Sequence, residues 1–518
     1  MEIKTIMKTA RSITIEIADG GIYHTVEEYG IRVNGTEVKT TNTVITSVFE
    51  LNPGTLYNIG IWNQAGSLLK ELNVITESEF VTLDVREFGA RGDGVQDDTK
   101  YIQAAIMACP KEGRVRVPVG VYKVTSLFLK SDLSLEIEKG AELSAITDRE
   151  AYPRLPGLIE SYDEKSEYAL GTWEGNPLPM FAAILTGVYV SNVVIYGEGV
   201  IDGNASRENW WHNPKVMVGA FRPRMLFLNH CSDISLQGLC FRNSPSWTLH
   251  PYFSENLKFC NLQVQNPGNS PNTDGLDPES CKNVEITGVK FSLGDDCIAV
   301  KSGKIYMGKK YKKPSENICV RQCLMENGHG AVTIGSEMAG GVKNLVVEEC
   351  LFRHTDRGLR IKTRRGRGKD AVIDGIIFRN LVMDHVMTPF VINSFYCCDP
   401  DGKTEYVQSR EPYPVDERTP LIRKMLFANI KAENCHVAAA FFDGLPEQKI
   451  ECIEMKNVEI SFAEEAKCDV PAMSVGIEPC SKRGMFARNI KKLKLEKVSI
   501  IGQDGEMVEL IGVEKLEQ

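Results

Sequence analysis

From about residue 190 onward, one hydrophobic pattern recurs: a polar pair followed by a short run of alternating apolar and polar positions. It reads "SNVVIYG" at 191, "CSDISLQG" at 231, "SENLKFCN" at 254, "CKNVEITG" at 281, "SENICVRQ" at 315, "VKNLVVEE" at 342, "IDGIIFRN" at 373, "IRKMLFAN" at 422 and "KIECIEMKN" at 449. Alternation with period two predicts strands, and the intervals fall mostly between 23 and 34 residues. A unit of that size cannot bury its own apolar side. Stacked units bury a continuous core, which predicts a parallel β-helix; a propeller would need roughly 40 to 50 residues per blade.

The first 78 residues follow a different rhythm. "SITIEIAD", "YGIRVNGTEV", "NTVITSVFEL", "LYNIGIWN" and "LLKELNVIT" are alternating strands parted by turn residues, which predicts a small β-sandwich. "LNPGTLYNIGI" (51–61) resembles the fibronectin type III signature. Residues 79–518 then form the solenoid domain. Near its start, Asp97 or Asp98 is placed to cap one short helix with Ile102, Ala105, Ile106 and Cys109 on its apolar face. The expected fold class is all-β: a β-sandwich, then a right-handed parallel β-helix with a short N-terminal capping helix.

Composition narrows the function. A net charge of −9 over 518 residues argues against a nucleic-acid partner. No apolar run is long enough to span a bilayer and none near the N-terminus reads as a signal peptide, so no membrane partner and a cytoplasmic location are expected. Fifteen cysteines, spread without disulfide spacing, read as reduced and mostly buried thiols. Without a CxxC or a completing Cys/His pair, no metal or other cofactor is expected. Two runs oppose the acidic whole: "KSGKIYMGKKYKK" (301–313) has six lysines, and "RGLRIKTRRGRGK" (357–369) has seven basic residues. They suggest a local anionic ligand or, equally, two solvated loops.

The acids give the chemistry. "FSLGDDCIAVKSG" (291–303) sets Asp295 beside Asp296 in an apolar run, with Asp274 one coil before and His329 one coil after. Arg360 and Lys362 follow a coil later, two apart on a strand and so on one face. At solenoid spacing these groups converge. Three crowded carboxylates cannot all ionise normally, so one is held protonated beside ionised neighbours. That is the pairing glycosidic bond cleavage needs, and the two cations suit a substrate carboxylate.

Asn272-Thr273-Asp274, Gly294-Asp295-Asp296, Gly328-His329-Gly330 and Arg360-Ile361-Lys362 resemble, in order, the four motifs of the polygalacturonases, glycoside hydrolase family 28. The resemblance extends from about residue 85 to 460. It implies hydrolysis of α-1,4-linked galacturonic acid with inversion, Asp295 as general acid, Asp274 and Asp296 activating water, and His329 supporting the acid. It also implies that Arg360, Lys362, Tyr396 and Lys301 contact substrate. Gly294, "VKSG" (300–303), "DGLDPES" (274–280) and "GSEMAGGV" (335–342) resemble the exo-acting branch, with residues 150–180 and 304–314 as candidate walls. The alternatives are a pectate lyase, a hydrolase of rhamnogalacturonan or substituted galacturonan, and a non-catalytic carbohydrate-binding solenoid. Trp247 and His250, and the Trp210-Trp211-His212 triplet, read as packed aromatics or as cleft lining.

Overall fold

The recurring polar pair has a structural reason. In the computed structural model, which describes residues 1–160, 163 and 167–518, the second polar residue sits in the left-handed region. Asn192, Asp233, Asn256, Asn283, Asn317 and Asn344 all have φ between 54° and 57°. Asparagine tolerates that backbone better than most residues with a Cβ. Its amide also links coils: Asn283 donates to Asn256, Asn317 to Asn283, and Asn344 to Asn317, at 3.0 to 3.1 Å. The kink lies one or two residues into each strand.

Each coil contributes three strands to three faces. One coil gives Lys282–Thr287, Lys290–Ser292 and Asp296–Val300. The next gives Ser315–Arg321, Leu324–Glu326 and Gly330–Gly335, and the one after Val342–Glu348, Leu351–Arg353 and Arg357–Lys362. All pair in parallel, coil on coil. Two faces form one continuous 24-stranded sheet; the third holds the strands around Asp296. The fold is a right-handed parallel β-helix, nearly all-β in class. Register stacks like on like inside: Val284 on Ile318, Leu345 and Ile376, and Ile286 on Val320, Val347 and Phe378, all buried. Each such side chain contributes about 1.5–3 kcal/mol by leaving water. The cysteines are all free thiols; Cys231 and Cys281 are small buried residues of the coil corners.

The helix Thr99–Ala108 covers the first coil with Ile102, Ala105 and Ile106 fully buried, Cys109 just beyond its end being buried too. Of the two acids expected to cap it, Asp97 makes the bond to the helix start. Asp98 holds the N-cap position but turns its carboxylate to the amides of Arg91 and Gly92, while Asp97 accepts from the Thr99 amide at 3.0 Å.

Residues Glu2–Ile75 form a β-sandwich of a three-stranded and a four-stranded antiparallel sheet, closed over Ile13, Ile15, Ile31, Ile59 and Ile61. The Tyr57 hydroxyl accepts from the Asn52 amide at 2.8 Å, fixing the turn of the "LNPGTLY" stretch in the manner of a tyrosine corner. The solenoid's first strand, Val81–Asp84, follows.

The sandwich lies on the back of the solenoid. Glu16 receives both ends of the Arg321 guanidinium at 2.7 and 2.5 Å. Gln237 accepts from Ser12 and donates to Thr14, and Gln322 accepts from the Tyr23 amide. Ile45 sits against Gly288, where a Cβ would come within 2.5 Å of its own.

The kink residues carry a testable cost. Asn283→Ala is expected to lower stability by about 1–3 kcal/mol, from the left-handed backbone and the lost amide bonds. Asn283→Gly keeps the conformation accessible and should cost less; equal thermal-melt losses for the two would refute the conformational part.

Candidate active site

The third face brings the expected acids together. The strand pairings put Asp274 and Asp296 at the same level in adjacent coils, through Leu276 opposite Ile298, and Gly330 level with Asp296. Asp274, Asp295 and Asp296 each offer an oxygen within 4.8 Å of the other two. Asp296 is fully buried, Asp274 nearly so, and Asp295 is partly exposed.

Gly330 makes the next contact possible. A Cβ there would lie 2.8 Å from Asp296 Oδ1 and 3.4 Å from Arg360 Cδ. With only hydrogen in that place, Arg360 reaches across the intervening coil and donates to Asp296 Oδ1 at 2.9 Å. Lys362, two residues on, donates to Oδ2 at 2.8 Å. Both oxygens of Asp296 are thus held by cations. Burial favours its neutral form, but Lys362 and Arg360 outweigh that and hold the carboxyl far below the usual range.

Asp295 goes the other way. Its surroundings remove water, and the charges of Asp274 and Asp296 add to the effect, raising it to about 7. Its Oδ1 accepts from the Asp296 amide at 2.9 Å, while its carbonyl accepts from the His329 amide at 3.0 Å. His329 is half-exposed, and its Nδ1 lies 2.7 Å from Asp356 Oδ2. That bond, with Asp295 nearby, raises the imidazole and favours the imidazolium. Asp356 has no sequence signal beyond standing just before Arg357; the motif reading misses it.

Arg360 and Lys362 also line a small cavity with Arg357, Asn393, Tyr396 and Met473. Lys362 Nζ stands 5.7 Å from the Tyr396 ring centroid. Lys301, also expected to contact substrate, lies among acids of the protein. It is buried, 3.4 Å from Asp274, 3.2 Å from Asp277 and 3.4 Å from Glu337. Its ammonium also lies 4.0 Å over Trp247. Trp247 and His250 are buried beneath the acids, and Trp210 and Trp211 anchor a loop against Tyr152 and Phe181.

The basic runs are largely spent on protein acids. Arg364 and Arg367 pair with Asp399, and Arg365 with Glu447. Lys304 reaches Asp399 at 3.2 Å, and its amide donates to Gly175 O at 2.9 Å. Glu167 accepts from Tyr306 and Tyr311 and pairs with Lys310. The 150–180 segment, whose residues 161, 162 and 164–166 lie outside the described ones, therefore meets the helix Ile305–Tyr311. Together they stand beyond the carboxyl end of the strand Asp296–Val300.

A raised acid beside a carboxylate held ionised by two cations, on one face of a parallel β-helix, fits a glycoside hydrolase. The family model described as "Glycosyl hydrolases family 28" matches residues 114–476, and the chain belongs to that family. A "Probable polygalacturonase" of Vitis vinifera is 30% identical over 409 residues, 76% of this chain and 78% of that protein. The "Exo-poly-alpha-D-galacturonosidase" of Dickeya chrysanthemi is 26% identical over 67% of this chain and 63% of its own length. In fold, the family 28 exopolygalacturonase of Yersinia enterocolitica superposes with a TM-score of 0.72 at 19% identity, covering 98% of this chain and 97% of that one. The exopolygalacturonase of Thermotoga maritima gives 0.65 at 27%, over 82% and 92%.

The elevated Asp295 carboxyl has a sign that stability can report. Its folded value lies above the ordinary one near 3.9, so the native state binds the proton more tightly than the unfolded chain. The stabilisation is complete at low pH and is lost as pH rises through about 7. Asp295→Asn is therefore expected to raise the melting temperature relative to the parent at about pH 8 and to change it little near pH 4. A constant difference across that range would disprove the elevated carboxyl.

Proposed function

We propose that the chain is an exo-acting, inverting hydrolase that releases galacturonate units from the non-reducing end of α-1,4-linked galacturonans. The observation that carries the reading is the split within the cluster: one carboxyl held up to about 7 and one held far down, within 4.8 Å. Asp295 protonates the glycosidic oxygen, with the His329–Asp356 pair keeping positive charge beside it. Asp274 takes a proton from the attacking water.

Inversion is what the family resemblance implies, with Asp274 acting on water as a base. Asp296 has both oxygens committed to Arg360 and Lys362, so it serves better to orient the two cations. These then present their remaining N–H groups to a substrate carboxylate, beside Tyr396. The paired acids also fit a hydrolase better than a lyase, which needs a basic proton abstractor, or a binding-only solenoid.

The exo assignment draws on the candidate wall of residues 150–180, 304–311 and Asp399, and on the exo-acting relatives. We also propose that the N-terminal sandwich is fibronectin type III-like, on the strength of its Tyr57 turn.

A timed digest of trigalacturonate and polygalacturonate, followed by chromatography and anomeric proton NMR, tests the reading. Early release of only mono- or digalacturonate as the β-anomer, abolished in Asp295→Asn, is expected. A ladder of sizes would overturn exo action, and α-anomer release would overturn inversion. Silence on galacturonan with turnover of another pectic polymer would overturn the substrate assignment. The profile of kcat should fall on the alkaline side as Asp295 ionises, near pH 7.

A further inference from the structure

Behind Asp274 lies a second buried cluster that the reaction as written does not use. Lys301 occupies its centre. From its own strand it faces Asp296, and from the preceding coil Asp274, Asp277 and Glu279; Glu337 approaches from the following coil. Arg222 and Arg224 lie on the far side, with Arg224 over the same Trp247 ring at 4.9 Å. Lys304 and Lys362 act on Glu337 from the rim.

The cluster cannot hold all its acids ionised. Lys301 touches three carboxylates, and Arg224 makes no ion pair among the described residues. Asp277 is fully buried, and neither of its oxygens makes an aligned hydrogen bond there. Such a group is tolerable when it carries a proton. Burial and the neighbouring Asp274 push it strongly that way. Glu279 is raised to about 8 by burial and by Glu337. It faces His250 Nε2 at 2.9 Å, while His250 Nδ1 accepts from Arg224 Nε at 3.4 Å, so the ring is a neutral Nε2–H donor.

We propose that Lys301 is a positioning residue for the hydrolysis: its ammonium, 3.4 Å from Asp274 Oδ2 and 3.2 Å from Asp277 Oδ1, orients the Asp274 carboxylate and sets a positive charge beside it. The inference rests on the hydrolase reading above and assigns one cation to the base as Arg360 and Lys362 are assigned to Asp296. It replaces the substrate contact that the family resemblance implied for Lys301. Glu337 is the counterweight, since it draws on the same ammonium from the other side.

The test compares Lys301→Met, Lys301→Arg and Glu337→Gln, each checked for fold by circular dichroism, with kcat and KM on trigalacturonate from about pH 4 to 8. In Lys301→Met the acid-side fall of kcat should move up by about one pH unit or more, with KM within about threefold. Lys301→Arg should restore most of the limb. Glu337→Gln should move it the opposite way, because Lys301 then acts on Asp274 with less compensation. A raised KM with an unmoved limb would make Lys301 a substrate contact. A loss of kcat with an unmoved limb would make it packing only. Either outcome overturns the proposal. Should Lys301→Met fail to fold, the opposite displacement in Glu337→Gln decides alone. An inactive parent enzyme would overturn the functional reading instead; the Lys301 assignment is then read without substrate, from carbon-13 aspartate NMR titrations assigned with Asp274→Asn. An Asp274 signal unchanged between the parent and Lys301→Met would sink it.

Discussion

Asp296 has no exposed surface, and each of its oxygens is taken by a cation from two coils away. Two like charges within 4.8 Å repel by about 3 kcal/mol at an effective dielectric of about 20. Without Arg360 and Lys362, the cluster would relieve that by taking up protons indiscriminately. With them, one carboxylate is fixed as an anion, and its charge adds to burial and to Asp274 in favouring the protonated form of Asp295. Gly330 is the geometric condition for that fixed anion, since a side chain there would part Arg360 from Asp296.

The solenoid was legible because its cause is local and repeated. A left-handed polar residue at the start of a strand recurs in six of the nine segments noted in the sequence, and all nine fall on strands of the large sheet. The acids, His329, Arg360 and Lys362 were legible through their spacing and their likeness to known motifs. What surrounds them was not. Asp356, Asp277, Glu279 and Glu337 reach the site only through the closing of separate coils, and a buried carboxylate has no signature distinguishing it from a turn residue. Lys301 entered only through the family resemblance, and nothing in "VKSG" shows the three acids around it.

The two basic runs show the same limit from the other side. Seven cations in thirteen residues suggested an anionic ligand, yet Arg364, Arg365 and Arg367 answer acids at 399 and 447. Alternation along the strand sends only Arg360 and Lys362 to the acids at the site. Local charge density is therefore a poor measure of what a surface binds when the fold supplies acids from elsewhere. In return, those ion pairs fasten the wall segments to the strands that carry the chemistry.

The docking of the sandwich has a mechanical consequence. It grips coils that begin at residues 231, 254, 281 and 315, which include those that carry Asp274, Asp295 and His329 on the opposite side. A solenoid whose repeats touch only their neighbours peels from its ends, one coil after another. Here the middle is fastened to a second domain, while the last coils end on charged strands at Lys492, Lys515 and Glu517. The coils that hold the acids are thus tied both to their neighbours and to a second domain, so opening them must break both sets of contacts.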